Sequence, residues 1–177
     1  MTKKLKNNEL GRLSVDEFKK ADKLPITVVL DNIRSGNNVG SVFRTSDALR
    51  IEKVVLCGIT ATPPNKEIHK TAIGAEKSIE WEYIKNTEDA VHKLKLEGYK
   101  IVGIEQVENS TLLPDFTADR NDKIALIFGN EVKGVQQKII DLCDENIEIP
   151  QYGTKHSFNI SVSAGIVLWD ICNKMRR

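Results

Sequence analysis

Asn38 and Arg44 stand six residues apart in the stretch DNIRSGNNVGSVFRT, which begins where the apolar run ITVVL ends. A guanidinium can fork onto a phosphate with two parallel N–H donors, and an asparagine oxygen can cap a helix. Arg34 offers a second cation in the same stretch. Two further stretches carry comparable groups. IFGNEVKGV sets one carboxylate, Glu131, between Gly129 and Gly134, where it can cap a helix or bind a cation or hydroxyl. IEIPQYGTKHSFNISVSAG presents Ser157, Asn159 and Ser161 ahead of an apolar helical pattern, with Asn159 or Ser161 placed to cap it. Taken alone, Arg44 reads first as a surface arginine paired with Asp47 or Asp31, and only together with the other two stretches as a phosphate ligand.

The elements that must position these groups alternate along the chain. ITVVLD, KVVLCG, SIEWEYI, YKIVGIEQ, KIALIFG and NIEIP read as strands, the central ones almost wholly apolar. Between them fall helical patterns. A Ser14–Glu17 capping box opens VDEFKKAD. Val39, Val42, Phe43, Ser46 and Leu49 share one helix face, and Gly36 and Gly40 are expected to let the backbone before it turn tightly. Asn38 is the expected cap of that helix. KEIHKTAIGA reads as a short helix or ordered loop, Thr87 as the cap of EDAVHKLKLE, and Gly98 as its stop. VQQKIIDLC reads as a helix, NSTLLPDFTADRND as an irregular connection, and SVSAGIVLWDICNKM as an apolar final helix. Such alternation predicts an α/β fold: a mainly parallel sheet with helices on both faces. Ligands then bind beyond the carboxyl ends of the strands, where the three polar stretches fall.

Composition narrows the function classes. The 177 residues are 40% hydrophobic and 29% charged, as in ordinary globular domains. Cys57, Cys143 and Cys172 are odd in number and form no CxxC pair, so buried reduced thiols are expected and neither zinc nor another metal is. No apolar run is long enough to span a bilayer, and MTKKLKNNELGRL lacks an apolar signal core, so no membrane is expected and a cytoplasmic location is. Net charge is only +1, but the first 23 residues hold seven Lys or Arg against four acids, and the chain ends KMRR. Positive ends on a neutral body suit a local anionic partner. A dinucleotide site would want GxGxxG after the first strand and an acid ending the second; the chain has GNNVGS and Leu56-Cys57-Gly58. No Walker lysine is present either, so redox and nucleotide-hydrolysing readings are disfavoured.

The three stretches together resemble the SPOUT class of RNA methyltransferases, specifically the SpoU (TrmH) family of ribose 2′-O-methyltransferases. The first is similar to N-x-G-x-x-x-R-T at Asn38, Gly40, Arg44 and Thr45. The second is similar to G-x-E-x-x-G at Gly129, Glu131 and Gly134. The third is similar to I-P-x-x-G-x-x-x-S-hydrophobic-N-x-S, from Ile149 and Pro150 through Gly153 to Ser157, Phe158, Asn159 and Ser161. The chain departs from many relatives at Gly36-Asn37, Gln151-Tyr152 and His156, so no single relative's substrate carries over.

The resemblance implies a C-terminal deep trefoil knot, which general chain-topology rules would not suggest. It implies S-adenosylmethionine as cofactor, held near Ile104, Gly129, Glu131, Gly134, Ile149, Ser157 and Phe158. It implies a tRNA or rRNA substrate, with catalytic roles for Arg44, Asn38, Glu131, Ser157 and Asn159 and RNA contact by Arg34 and Arg44. A homodimer is implied too, with Val162, Ile166, Trp169 and Ile171 as candidate interface residues. The expected division is a basic N-terminal extension with a short helix over residues 1–24 and a methyltransferase domain over 25–177. The competing class is a non-catalytic RNA-binding or assembly protein that kept the knotted fold; retention of the motif residues favours the enzyme.

Overall fold

The computed structural model describes residues 2–6 and 9–177. Seven strands form one sheet in the order β3-β2-β1-β6-β4-β7-β5, and every neighbouring pair is parallel. The strands are β1 (Leu24–Asp31), β2 (Ile51–Cys57), β3 (Glu80–Ile84), β4 (Lys100–Ile104), β5 (Thr111–Leu112), β6 (Ile124–Phe128) and β7 (Glu145–Glu148). The helices are α1 (Val15–Lys20), α2 (Gly36–Ala48), α3 (Lys66–Ala72), α4 (Ala75–Ser78), α5 (Thr87–Leu96), α6 (Gln137–Ile140) and α7 (Ile160–Met175).

Strand periodicity divides the core in two. Ile26, Val28 and Leu30 of β1 point to one face, where they join Leu126 and Phe128 and meet α1, α2, α3 and α7. Val29, with Val55, Ile101 and Ile127, points to the other face, under Val91 and Leu94 of α5 and Ile139 of α6. Both sheet faces are thus covered, which is why the central strands are apolar without alternation. The one charge in β1, Asp31, is buried at its carboxyl end. It accepts hydrogen bonds from Asn32 Nδ2 (2.7 Å), Thr87 Oγ1 (2.5 Å) and Gln136 Nε2 (3.3 Å), so no cation is needed to satisfy it.

Several local expectations are corrected by packing. Ser35, not Asn38, caps α2, accepting from the Asn38 N–H. Gly36 and Gly40 lie inside α2 rather than in a turn. A β-carbon at Gly40 would collide with Thr71 and the Ile68 carbonyl, so this glycine sets how closely α2 approaches α3. Asn86 is the N-cap of α5, and Thr87 spends its hydroxyl on Asp31. VQQKIIDLC contributes only the four residues of α6. The connection after β4 contains β5 and a 3-10 turn at Leu113–Asp115. The Ser14–Glu17 capping box forms, and Phe18 of α1 is buried in the core. Gly98, at φ +84, follows α5 in the left-handed region.

Cys57 and Cys172 are buried, Cys143 is half-buried, and all three are free thiols. Burial pushes the thiols up, to about 12, 11 and 11 for Cys57, Cys143 and Cys172, which makes them poor nucleophiles.

At the amino end of β4, Asp144 accepts from the Ile101 N–H (2.7 Å) and Lys95 Nζ (2.9 Å). Burial would raise this carboxyl's pKa, but those two donors outweigh it and hold it below the usual aspartate range. A folded pKa below the unfolded value stabilises above the unfolded pKa, and that stability is lost as pH falls through the folded one. Asp144→Asn should therefore lose stability less steeply than wild type below about pH 4. Urea melts at a series of acidic pH values check this, and parallel acid limbs would refute it.

Candidate active site

The polar stretches that follow β1, β6 and β7 meet at the carboxyl side of the sheet. Their meeting point is a chain of amides. Asn159 is the N-cap of α7, and its Oδ1 accepts from the Ser161 N–H (2.9 Å) and Ser161 Oγ (2.7 Å). With its oxygen engaged, its Nδ2 turns to Asn38 Oδ1 (3.3 Å). That leaves Asn38 Nδ2 to donate to Glu131 Oε1 (3.1 Å). Each amide has one donor side and one acceptor side, so a single orientation of both satisfies the whole run. Residues 93 and 121 positions from Asn38 in sequence are thereby joined to the first turn of α2.

Beside this run lies a cleft of about 710 Å³. Ile104, Phe128, Ile140 and Phe158 give it apolar walls, while Glu131, Ser157 and Asn159 supply polar groups. The loop from Gly129 to Val135 forms one side. It is held in three ways. Asn130 and Gly134 exchange backbone hydrogen bonds of 3.1 and 2.8 Å. Asn130 Nδ2 donates to the Asn32 carbonyl (2.8 Å). The Val135 N–H donates to Glu105 Oε2 (2.9 Å). Gly134 stands at φ +65 with the Glu105 carboxylate where a β-carbon would be, so both its conformation and its space call for glycine. On the opposite side, Gln106 Nε2 donates to the His156 carbonyl (3.0 Å) and ties down the third stretch.

Ile104, Gly129, Glu131, Gly134, Ser157 and Phe158 all line this cleft, and Ile149 lines a smaller recess that adjoins it. Arg34 is exposed on the β1–α2 connection. Arg44 is not in the cleft. It is exposed on α2 and lines a separate concavity with Arg12 and Lys77, and it pairs with neither Asp47 nor Asp31. Its six-residue offset from Asn38 explains this, since it carries Arg44 about 9 Å along the helix and about 120° around it.

Sequence reasoning missed Glu105, Gln106 and Asn130. Each is a polar residue directly past the carboxyl end of a buried parallel strand, and that position alone was a usable indication.

Four of the sites expected on α7 divide by face. Val162 and Trp169 are exposed, at 48% and 63%, and Ile166 is half-buried beside them. Ile171 is fully buried in the core, so it serves packing rather than an interface. Among the described residues, no group of three or more His, Cys, Asp or Glu is arranged to hold a metal ion, and no helix is long and apolar enough to cross a membrane.

Known proteins are similar to this chain in sequence and in fold. A rRNA (guanosine-2′-O-)-methyltransferase acting on 23S rRNA in Neisseria meningitidis, RlmB, is 30% identical over 153 residues, covering 86% of this chain and 60% of its own length. A protein named for the TrmH family of tRNA/rRNA methyltransferases in Staphylococcus saprophyticus is 30% identical over 160 residues, covering 90% of this chain and 63% of its own. The chain thus spans under two thirds of the length of these relatives. Two solved structures share the fold. A TrmH/SpoU tRNA modifying enzyme of A. aeolicus superposes with a TM-score of 0.79 at 23% identity, over 90% of this chain and 81% of its own. An AdoMet-bound rRNA methyltransferase of Sinorhizobium meliloti superposes with a TM-score of 0.77 at 24% identity, over 86% and 58%. The SpoU rRNA methylase family model matches residues 25–169, and the chain belongs to that family.

Proposed function

We propose that the protein is a cytoplasmic, S-adenosylmethionine-dependent RNA methyltransferase that methylates a ribose 2′-hydroxyl of tRNA or rRNA. The observation that carries this reading is the Asn159–Asn38–Glu131 run, which gathers groups from all three polar stretches at the rim of one cleft. A surface built to bind only RNA would not need that convergence beside a cleft with apolar residues such as Ile104, Phe128 and Ile140 in its lining.

The cleft fits the cofactor. Its volume of about 710 Å³ lies within the range of small-ligand sites. Apolar Ile104, Ile140 and Phe158 suit an adenine ring, and the Glu105 and Glu131 carboxylates suit ribose hydroxyls or a nearby positive charge. When bound, S-adenosylmethionine supplies an electrophilic methyl group on a sulfonium.

The chain's own residues must then align the nucleophile and accept or relay its proton. Alignment is worth on the order of 7–11 kcal/mol in favourable cases, and general-base help roughly 10²–10⁴-fold. In this reading Glu131 orders Asn38, and Ser157 and Asn159 orient the nucleotide at the cleft mouth. Arg44 clamps the phosphate next to the reacting ribose and stabilises developing alkoxide charge. The guanidinium stays protonated in proteins, which favours the clamp over a general base.

Arg44 stands outside its own chain's cleft, so the reading includes a homodimer. The apolar face of α7 at Val162, Ile166 and Trp169 is the proposed interface, and α7 packs on α2, the helix that carries Arg44. A second copy seated there would present its α2 near this cleft. The reading also takes residues 25–177 as the catalytic domain, residues 1–24 as a basic extension, and the segment between β7 and α7 as threaded into the family's trefoil knot. In support of the threading, β7 lies beyond β6 and β4 from β1, yet α7 packs on the helix that follows β1.

Calorimetry with S-adenosylhomocysteine, followed by methyl transfer from labelled S-adenosylmethionine to RNA from a strain lacking the gene, tests the function. Binding and 2′-O-methyl product are expected. Absence of cofactor binding would return the protein to the non-catalytic class.

A further inference from the structure

The net charge of +1 conceals a concentration of positive charge on one side of the molecule. A concavity of about 450 Å³ is formed where the Gly11–Val15 segment lies against α2 and α4. Arg12, Arg44, Arg50 and Lys77 line it, and all four are exposed. None of these four side chains makes a hydrogen bond or ion pair among the described residues. The one carboxylate in the lining, Asp47, is engaged by the Ser78 hydroxyl. Ala48 and Arg50 are shared with a second concavity of about 260 Å³, which adds Lys23, Arg120 and Arg176. Its one acid, Asp22, is already paired with Arg120. The two concavities therefore form a continuous track of seven cationic side chains against two occupied carboxylates.

None of these residues lines the cofactor cleft, so the track is a separate feature. Lysines elsewhere, such as Lys53, Lys93 and Lys100, are ion-paired, whereas Arg12, Arg44, Arg50 and Lys77 have no side-chain partner among the described residues; at the far end Arg120 pairs with Asp22 and Arg176 donates to the Leu49 carbonyl (2.6 Å). The three unpaired guanidinium groups of Arg12, Arg44 and Arg50 are suited to successive phosphates, which arginine binds in a planar fork. Its floor is closed by Phe18, Ala72 and Ala75, and no apolar pocket deep enough for a base is required.

We infer that this track, from Lys77 and Arg12 past Arg44 and Arg50 to Arg176, is the surface that carries the RNA sugar-phosphate backbone to and from the reaction centre. The inference rests on the RNA-methyltransferase reading and extends it. It gives the N-terminal segment a function, since Arg12 supplies one wall. The track reads phosphate and not base identity, so any RNA strand reports on it.

The test is a salt titration of binding to a labelled single-stranded RNA oligonucleotide. Each phosphate contact on a single strand contributes about −0.7 to the slope of log affinity against log salt. The triple variant Arg12→Gln, Arg50→Gln, Lys77→Gln should make the slope shallower by about 2 and weaken binding on the order of 10–100-fold at moderate salt. S-adenosylhomocysteine affinity should not change. The matched variant Lys66→Gln, Lys70→Gln, Lys85→Gln removes the same charge outside the track and should keep a near-wild-type slope. Arg12→Glu alone, on an exposed segment, should reproduce part of the loss without risk to the fold. If the track variants and the matched variant behave alike while wild type binds RNA, the track is not the RNA surface and the enzymatic reading stands. If wild type binds S-adenosylhomocysteine but no RNA, both fall together.

Discussion

Arg44→Ala should lose methyl transfer by on the order of 10²–10³-fold while binding S-adenosylhomocysteine as wild type does. The expected split follows from position. Arg44 is exposed and lines a concavity apart from the cleft, so its removal disturbs no wall of the cofactor site. In its proposed role as phosphate clamp, its loss would remove a charge-assisted donor from the nucleotide and from the alkoxide that develops during transfer. Arg44→Lys should recover only part of the rate, because an ammonium keeps the charge but not the fork. Mixing distinguishes where Arg44 acts. In heterodimers of Arg44→Ala with Asn159→Ala, one site has both residues intact only if Arg44 serves the cleft of the second copy. Partial recovery on mixing is therefore expected. Transfer by Arg44→Ala at the wild-type rate would remove this residue from the mechanism. An inactive mixture of folded heterodimers would confine Arg44 to its own chain.

The second large effect concerns Gly129, where the obstacle is backbone. A β-carbon there would overlap the Gly134 carbonyl group and the Val135 nitrogen. No side-chain rotation relieves such a clash. The easiest relief moves the Gly129–Val135 loop away, breaking the Asn130–Gly134 pair and the Val135–Glu105 hydrogen bond. Overpacking of this kind costs about 1–3 kcal/mol, and a domain of this size loses roughly 2–4 °C of Tm for each kcal/mol. Gly129→Ala should thus melt several degrees lower. Because the same loop walls the cleft, S-adenosylhomocysteine affinity should fall on the order of 10–100-fold, about 1.4 kcal/mol per tenfold loss. Gly153→Ala is the control, since a β-carbon there meets nothing within 4 Å. Calorimetric binding and melting of the two variants decide the matter: equal affinities would show that the loop is not a wall of the cofactor site.

Residue pattern alone determined the strand–helix alternation, the parallel sheet with two covered faces, and the three polar stretches at strand ends. These follow from local chemistry. Uninterrupted apolar runs such as ITVVL and KIALIFG can only be buried on both sides, and the capping box at Ser14–Glu17 is complete within four residues. Pairings that depend on distant neighbours were not available in that way. Asn38 looked like a helix cap because its cap geometry is local, but Ser35 holds that place and the Asn38 amide is drawn to Glu131 and Asn159 by elements far along the chain. Gly40 looked like a turn residue, whereas the approach of α3 is what excludes a side chain there. Ile171 and Trp169 carry the same apolar character in sequence, yet helix rotation buries one and exposes the other. Most of all, spacing put Arg44 with the other motif residues, and the tertiary structure set it on a different face of α2, beside Arg12 and Lys77. Residue type specifies what a group can do; which groups it does it with is decided by the crossing of chain segments that are remote in sequence.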